Sequence, residues 1–199
     1  MAPLQINESI PLSRERLFNW LKTLSNQLSK GTVIIDIHDP NLAIVHANSD
    51  FLQLTNYPLD QLIGKNLSIL NGKRTNLDYA NEFMCHIKHG IAHKFTILHY
   101  TLHGSAFWHS IAIHPIRDEQ NITQYILLTC EDNTEPRLNK MLSKLEHEVY
   151  EAIENDDDLQ SILTLISSKI ENYYIRDVYC TIHLFDPQQA LKTIGSNTL

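Results

Sequence analysis

No apolar run in the chain approaches the roughly 18 residues of a membrane span, so none is expected. The opening Met1-Ala2-Pro3-Leu4-Gln5 has no basic region followed by an apolar one, and no secretory leader is expected. Basic charge is in deficit: 16 Lys and Arg stand against 23 Asp and Glu, a formal net charge of −7. That balance argues against gripping a phosphate backbone, so no nucleic-acid partner is expected. Cysteine is sparse. Cys85, Cys130 and Cys180 are odd in number, far apart and form no CxxC pair, which points to a reducing, cytoplasmic compartment. There is no internal repeat, no phosphate-binding loop and no marked nucleophile, and no enzyme is expected.

At 199 residues, 43% hydrophobic and 20% charged, the chain fits one or two small globular domains. A helix is predicted from about Leu12, with Ser13 as N-cap, Leu17, Leu21, Leu24 and Leu28 on one face, and Gly31 as its stop. It serves as a cap on the next domain, as a dimer helix, or as both. Thr32–His38 and Leu42–Ala47 read as strands joined by the turn Asp39-Pro40-Asn41. Asn48-Ser49-Asp50 caps a short helix carrying Phe51, Leu52 and Leu54. Asn56-Tyr57-Pro58 ends it, and Leu59–Ile63 adds a further turn. The stretch Gly64–Gly72, G-K-N-L-S-I-L-N-G, follows and reads as the wall of a ligand cavity. Asn76–His89 is a predicted helix with Tyr79, Ala80, Phe83 and Ile87 inward, stopped at Gly90. Three strands come next, His93–Leu102, Ala106–Arg117 and Ile122–Glu131, with the alternation of an antiparallel sheet buried on one face. The element order gives an α+β fold, a five-stranded antiparallel sheet with helices on one face.

Asp132–Arg137 reads as a polar joint. After it Leu138, Leu142, Leu145 and Val149 recur with heptad-like spacing, which fits a dimeric coiled coil or a helix folded onto its own domain. Asn155–Asp158 breaks or re-caps the helix, and Leu159, Ile162, Leu163, Ile166 and Ile170 form a second amphipathic face. Val178–Phe185 is a predicted strand, Asp186-Pro187 a turn, and Leu191–Ile194 the start of another strand. This tail reads as the front of a domain whose remainder is absent.

Four segments carry a resemblance: I-V-H-A-N-S-D-F-L-Q-L-T-N-Y (44–57), L-I-G-K-N (62–66), F-W-H-S-I-A-I-H-P-I-R-D (107–118) and D-N-T-E-P-R (132–137). Together they resemble a PAS domain over roughly 30–137, and the last resembles the joint coupling such domains to an output helix. Within that family the chain is most similar to the light-oxygen-voltage (LOV) branch. G-K-N-L-S-I-L-N-G resembles G-x-N-C-R-F-L-Q-G, and H-Y-T-L-H-G-S-A-F-W-H resembles N-Y-x-x-x-G-x-x-F-W-N. Residues 166–186 resemble the opening helix and strand of a GAF domain. The implied organisation is a tail and cap helix (1–29), a LOV-like PAS domain (30–133), a signalling helix (134–155) and a truncated GAF-like start (156–199).

The resemblance implies a flavin pocket and places residues around it. Asn66 matches. Leu67 stands where the reactive cysteine would be, and Ser68 and Met84 stand where two phosphate-binding arginines would be. Asn71 is a shortened polar contact, His99 and His109 replace two asparagines at the ring edge, and Cys130 replaces a signal-relaying glutamine. Loss of the photochemistry and of tight FMN binding follows, with Lys73 or Arg74 as substitute phosphate partners. A pocket filled by Leu67, Ile69, Phe83 and Met84 is the simplest reading, so no cofactor is expected. Flavin is one alternative, and haem held by His86 is another. His86, His89 and His93 could suggest a metal site, yet no Cys or carboxylate completes it. Glu82 with His86 could suggest acid–base work. His99, His109 and His114, if buried on strands, would respond to pH.

The resulting expectation is the sensory module of a bacterial signalling protein, a homodimer through its N-terminal and linker helices. It would pass changes through Asp132, Thr134, Glu135 and Arg137 to a GAF and output domain, as in cyclic-di-GMP enzymes or histidine kinases.

Overall fold

The computed structural model describes residues 13–173, 180–186 and 189–195. The chain divides into two compact units, Met1–Asp132 and Asn133–Leu199. Among the described residues no helix is long and apolar enough to cross a membrane.

In the first unit α1 spans Arg14–Gln27, and Arg16 N–H donates to the Ser13 side chain that caps it (3.3 Å). The strands are β1 Gly31–Asp36, β2 Ile44–Ala47, β3 Lys94–Tyr100, β4 Ala106–Arg117 and β5 Thr123–Asp132. Between β2 and β3 lie α2 (Ser49–Thr55), α3 (Leu59–Leu62), a 3-10 turn (Leu67–Leu70) and α4 (Leu77–Lys88). The five strands are ordered β2-β1-β5-β4-β3, all neighbours antiparallel, so the first and last strands of the domain meet at its centre. This is the expected α+β architecture.

Period-two alternation sorts the side chains between the two faces. Val33, Ile35, Ile111, Ile113, Ile126 and Leu128 face one way, into a core closed by Phe51 of α2 and by Phe83 and Ile87 of α4. Ile34, Tyr125 and Leu127 face the other way, against Leu21, Leu17 and Phe18 of α1. The helices therefore occupy both faces: α2–α4 cover one, and α1 covers part of the other. Arg14 pins α1 through an ion pair to Asp36, and its guanidinium lies 5.1 Å from the Tyr125 ring centre. Gly31 does not stop the helix as expected. α1 ends at Gln27, and Gly31 starts β1, where an added Cβ would sit 3.2 Å from Cys130 O and from Phe51 Cα.

Asn48 is the joint of the unit. Its Oδ1 accepts from Thr32 N–H (2.8 Å) and Phe51 N–H (3.0 Å), while its Nδ2 donates to Ser25 O (3.0 Å) and Lys30 O (2.8 Å). One buried amide thus caps α2 and ties it to the end of α1 and the start of β1 with all its hydrogen-bonding capacity used.

In the second unit α5 spans Thr134–Glu154 behind an Asn133 cap. The expected polar joint is therefore the first turn of this helix. Pro136 fits there because the first-turn amides have no intrahelical acceptor. The helix ends at Asn155, Asp156 takes a left-handed φ of 56°, and α6 begins at Leu159. Asp158 caps α6, accepting from Gln160 N–H (2.9 Å), Ser161 N–H (3.1 Å) and the Ser161 hydroxyl (2.6 Å). α6 runs to Tyr173, and β6 (Thr181–Asp186) pairs antiparallel with β7 (Gln189–Gly195). The expected strand start at Val178-Tyr179 and the turn residue Pro187 lie outside the described residues.

Candidate functional site

The stretch Gly64–Gly72 straddles the helical side of the sheet. At its start Gly64, with φ 78°, donates N–H to Ile44 O (2.9 Å), and Ile44 N–H donates to Lys65 O (2.8 Å). The Asn66 side chain accepts from Ser68 N–H (2.9 Å) and donates to Asn41 O (2.7 Å), so it caps the 3-10 turn and ties it to the β1–β2 turn. Capped in this way, the turn drives Leu67 and Leu70 into the core, where they are 1% and 0% exposed. Ser68 points outward and Asn71 is half-buried. At the far end Thr75 accepts from Gly72 N–H (2.9 Å) and donates to Leu98 O (2.7 Å).

The Tyr100 ring lies directly on Gly72, where an added Cβ would come within 2.3 Å of a ring carbon. Tyr100 also accepts, through its hydroxyl, from Arg74 N–H (3.1 Å). Gly72→Ala is therefore expected to displace the ring, break this bond and cost about 1–3 kcal/mol by overpacking. Urea unfolding checks it, and an unchanged midpoint refutes the contact.

Leu67, Phe83 and Cys130 belong to one buried apolar cluster, with Ile69 and Met84 packed against its rim. The polar element of this interior is a histidine pair. His99 of β3 and His109 of β4 are 2% and 0% exposed, and their Nδ1 atoms lie 2.9 Å apart. The hairpin register sets Ile97 opposite His109 and His99 opposite Phe107, so the two imidazoles are diagonal neighbours. His109 Nε2 is buried without a hydrogen-bond partner. Burial lowers His99 to about 4. It lowers His109 well below the ordinary imidazole range, with the neighbouring His99 adding to the effect. Burial pushes the Cys130 thiol far up, with nearby Glu131 adding to the effect, so it is no thiolate.

Other candidates separate. His114 sits on the opposite sheet face, bonded through Nε2 to Thr129 Oγ1 (3.0 Å). His86 Nδ1–H donates to the backbone carbonyl of Glu82 (2.9 Å). The His86 ring packs with those of His93 and Phe95, at centroid distances of 5.2 and 5.1 Å. It stands at the rim of the core rather than inside it, the wrong place for an axial haem ligand in the interior. His89 turns instead onto Cys85 O (2.8 Å). Among the described residues no three His, Cys, Asp or Glu are placed to hold a metal.

The expected seam of α5 divides. Leu142 is 43% exposed, whereas Leu145 lines a crevice with Met141, Lys144, Glu148 and Lys169 of α6. Leu138 and Val149 are half-buried. Glu135 lies in the first turn of α5, favourable at the positive end of the helix dipole, and Arg137 N–H closes that turn on Asn133 O (3.1 Å).

Leu67 offers no thiol, His99 and His109 meet only through their Nδ1 atoms, and among the described residues no Lys or Arg side chain is buried. Sequence reasoning had pointed to the separate histidines. It missed their pairing, which the turn at His103-Gly104 would have revealed once it fixed the register.

A model of the PAS domain family matches residues 30–135. The chain is 28% identical to phototropin-2 of Oryza sativa subsp. japonica, over 69% of this chain and 16% of that protein. It is 29% identical to a blue-light-activated histidine kinase of Rhizobium johnstonii, over 68% of this chain and 39% of that protein. The chain thus spans well under half the length of these two curated relatives. Among solved structures, a light-oxygen-voltage domain studied with a flavin analogue matches with a TM-score of 0.54 and 27% identity. That match covers 66% of this chain and 95% of the solved one. The chain belongs to the PAS domain family, and residues 30–135 form a LOV-like sensory domain.

Proposed function

We propose that this chain is a sensory module that has given up LOV photochemistry and works as a conformational element between domains. The observation that carries this reading is the packing at the 3-10 turn: Leu67 is buried where the family's reactive thiol would be, and among the described residues no Lys or Arg side chain is buried. A carbon side chain cannot supply the nucleophile for a flavin adduct. Ser68 and Met84 likewise provide no fixed bidentate partner for a phosphate. The module acts as a homodimer, through α1 and the exposed apolar face of α5. It passes its state from Asp132 through Thr134, Glu135 and Arg137 of α5 to a GAF-like domain that starts near residue 156. The output lies in a longer bacterial signalling protein, of the kind that makes or degrades cyclic-di-GMP or phosphorylates histidine.

The absorption spectrum of the purified chain, before and after blue illumination, is the test. A colourless protein with no light response is expected. A structured blue band would overturn the closed-core reading. The partnerless His109 Nε2 favours a second reading, in which a bound planar ligand supplies the missing hydrogen bond. A flavin band, or an intense haem band lost in His109→Ala, would establish it.

A further inference from the structure

A hydrogen bond between two imidazole Nδ1 atoms needs one proton, carried by one ring and accepted by the lone pair of the other. His99 and His109 meet in this way at 2.9 Å. Two protonated rings would set N–H against N–H and lose the bond. The site also offers a proton no welcome. Phe51 of α2 and Phe107 of β4 face His109, at ring-centre distances of 6.1 and 5.3 Å, and its Nε2 has no partner. The 3-10 turn brings only Leu67 and Leu70 into this core, and α4 brings Phe83 and Ile87. On β5 the titratable groups on the core face are Cys130, a neutral buried thiol, and Asp132, in register with His109 but exposed at the end of the strand, while Tyr125 and Glu131 point to the other face. Asp50 of α2 is half-buried on that helix's flank.

We propose that the His99–His109 pair is a proton-operated latch, through which acidification loosens the β3–β4–β5 edge beside Asp132, the residue from which the chain leaves the domain. The proposal rests on the sensory reading above and names its signal. The direction follows from the buried pair. A solvated histidine takes up a proton near pH 6.5, whereas His99 in the closed pair resists until about pH 4. Between those values the opened state binds more protons than the closed one, so acid favours opening. The first proton comes from solvent and adds to the free Nε2 lone pair of the ring that donates at Nδ1, which keeps the Nδ1–H···Nδ1 bond but puts a charge among apolar groups; a second proton, on the accepting Nδ1, takes that lone pair and the bond is lost.

The test compares the full chain with the double variant H99N/H109N, whose amides can exchange a hydrogen bond but do not titrate. Between pH 7 and pH 5 the melting temperature of the wild type is expected to fall by roughly 10 °C more than that of the variant. His46, buried and also partnerless at Nε2, is present in both proteins and cancels. Equal slopes would overturn the proposal. Nitrogen NMR of the wild-type histidines gives an answer independent of the variant's folding. Both rings should stay neutral in the folded protein at pH 5.5, and either ring titrating near 6.5 without structural change would overturn the latch. A colourless protein with no acid response keeps the sensory reading and ends this one. A coloured protein with the acid response ends the closed-core reading and leaves the latch standing.

Discussion

Leu67→Ala should destabilise the protein by about 3 kcal/mol. Truncating a fully buried leucine removes its transfer free energy and leaves a cavity that the surroundings only partly fill, a loss of roughly 2–5 kcal/mol. The 3-10 turn is held at both ends, by the Asn66 cap and by the Asn71 N–H on Ser68 O (3.0 Å), so it has little freedom to collapse into the gap. The outcome bears on function as well as stability. If Leu67 lined an open ligand cavity, its methyl groups would already face a void, and their removal would cost far less. Urea unfolding of Leu67→Ala beside Leu70→Ala, its buried neighbour on the same turn, decides the matter. Two large and similar losses support a closed core. A large loss at Leu70 alone would reopen the cavity.

Asn48→Ala comes next, at about 3–4 kcal/mol. An ordinary N-cap is worth about 1 kcal/mol. Here the same side chain also holds Thr32 N–H, Ser25 O and Lys30 O, and its loss leaves buried groups without partners at about 1–3 kcal/mol each. Asn48→Ser separates the contributions. Serine retains the bond to Phe51 N–H but cannot reach across to α1, so it should recover only about 1 kcal/mol of the loss. Full recovery by serine would show that the cap alone matters.

Asn48 also shows how much the sequence discloses. Its role as a cap is local, written in the residue type and the apolar residues after it. Its tie to Ser25 is 23 positions long, and no local pattern records it. The same division recurs elsewhere. β4 lies where the alternation and its flanking turns place it, at Ala106–Arg117. The signalling helix expected at 134–155 is α5, Thr134–Glu154, and Pro136 is harmless there because it lies in the first turn. His86, His89 and His93 are spaced like a ligand trio, but α4 ends at Lys88 and His93 lies just before β3, so the three do not share a helix. Leu145 completes a heptad on paper. On α5 it is half-buried and lines a crevice with Met141, Lys144, Glu148 and Lys169 of α6. In the interior, residue identities were legible and residue pairs were not. The bond between His99 and His109 exists because a hairpin register brings them together.

The docking of Gly64 and Lys65 on Ile44 has a consequence for how copies of this chain can meet. β2 is the edge of the sheet, and an uncovered edge is a template on which a strand from another molecule can add. Here the N–H and C=O of Ile44 are already taken by the chain's own loop. A strand approaching that edge finds the backbone groups of Ile44 spoken for. Sheet extension by strand addition is thereby closed at Ile44, on the β2 side of the sheet.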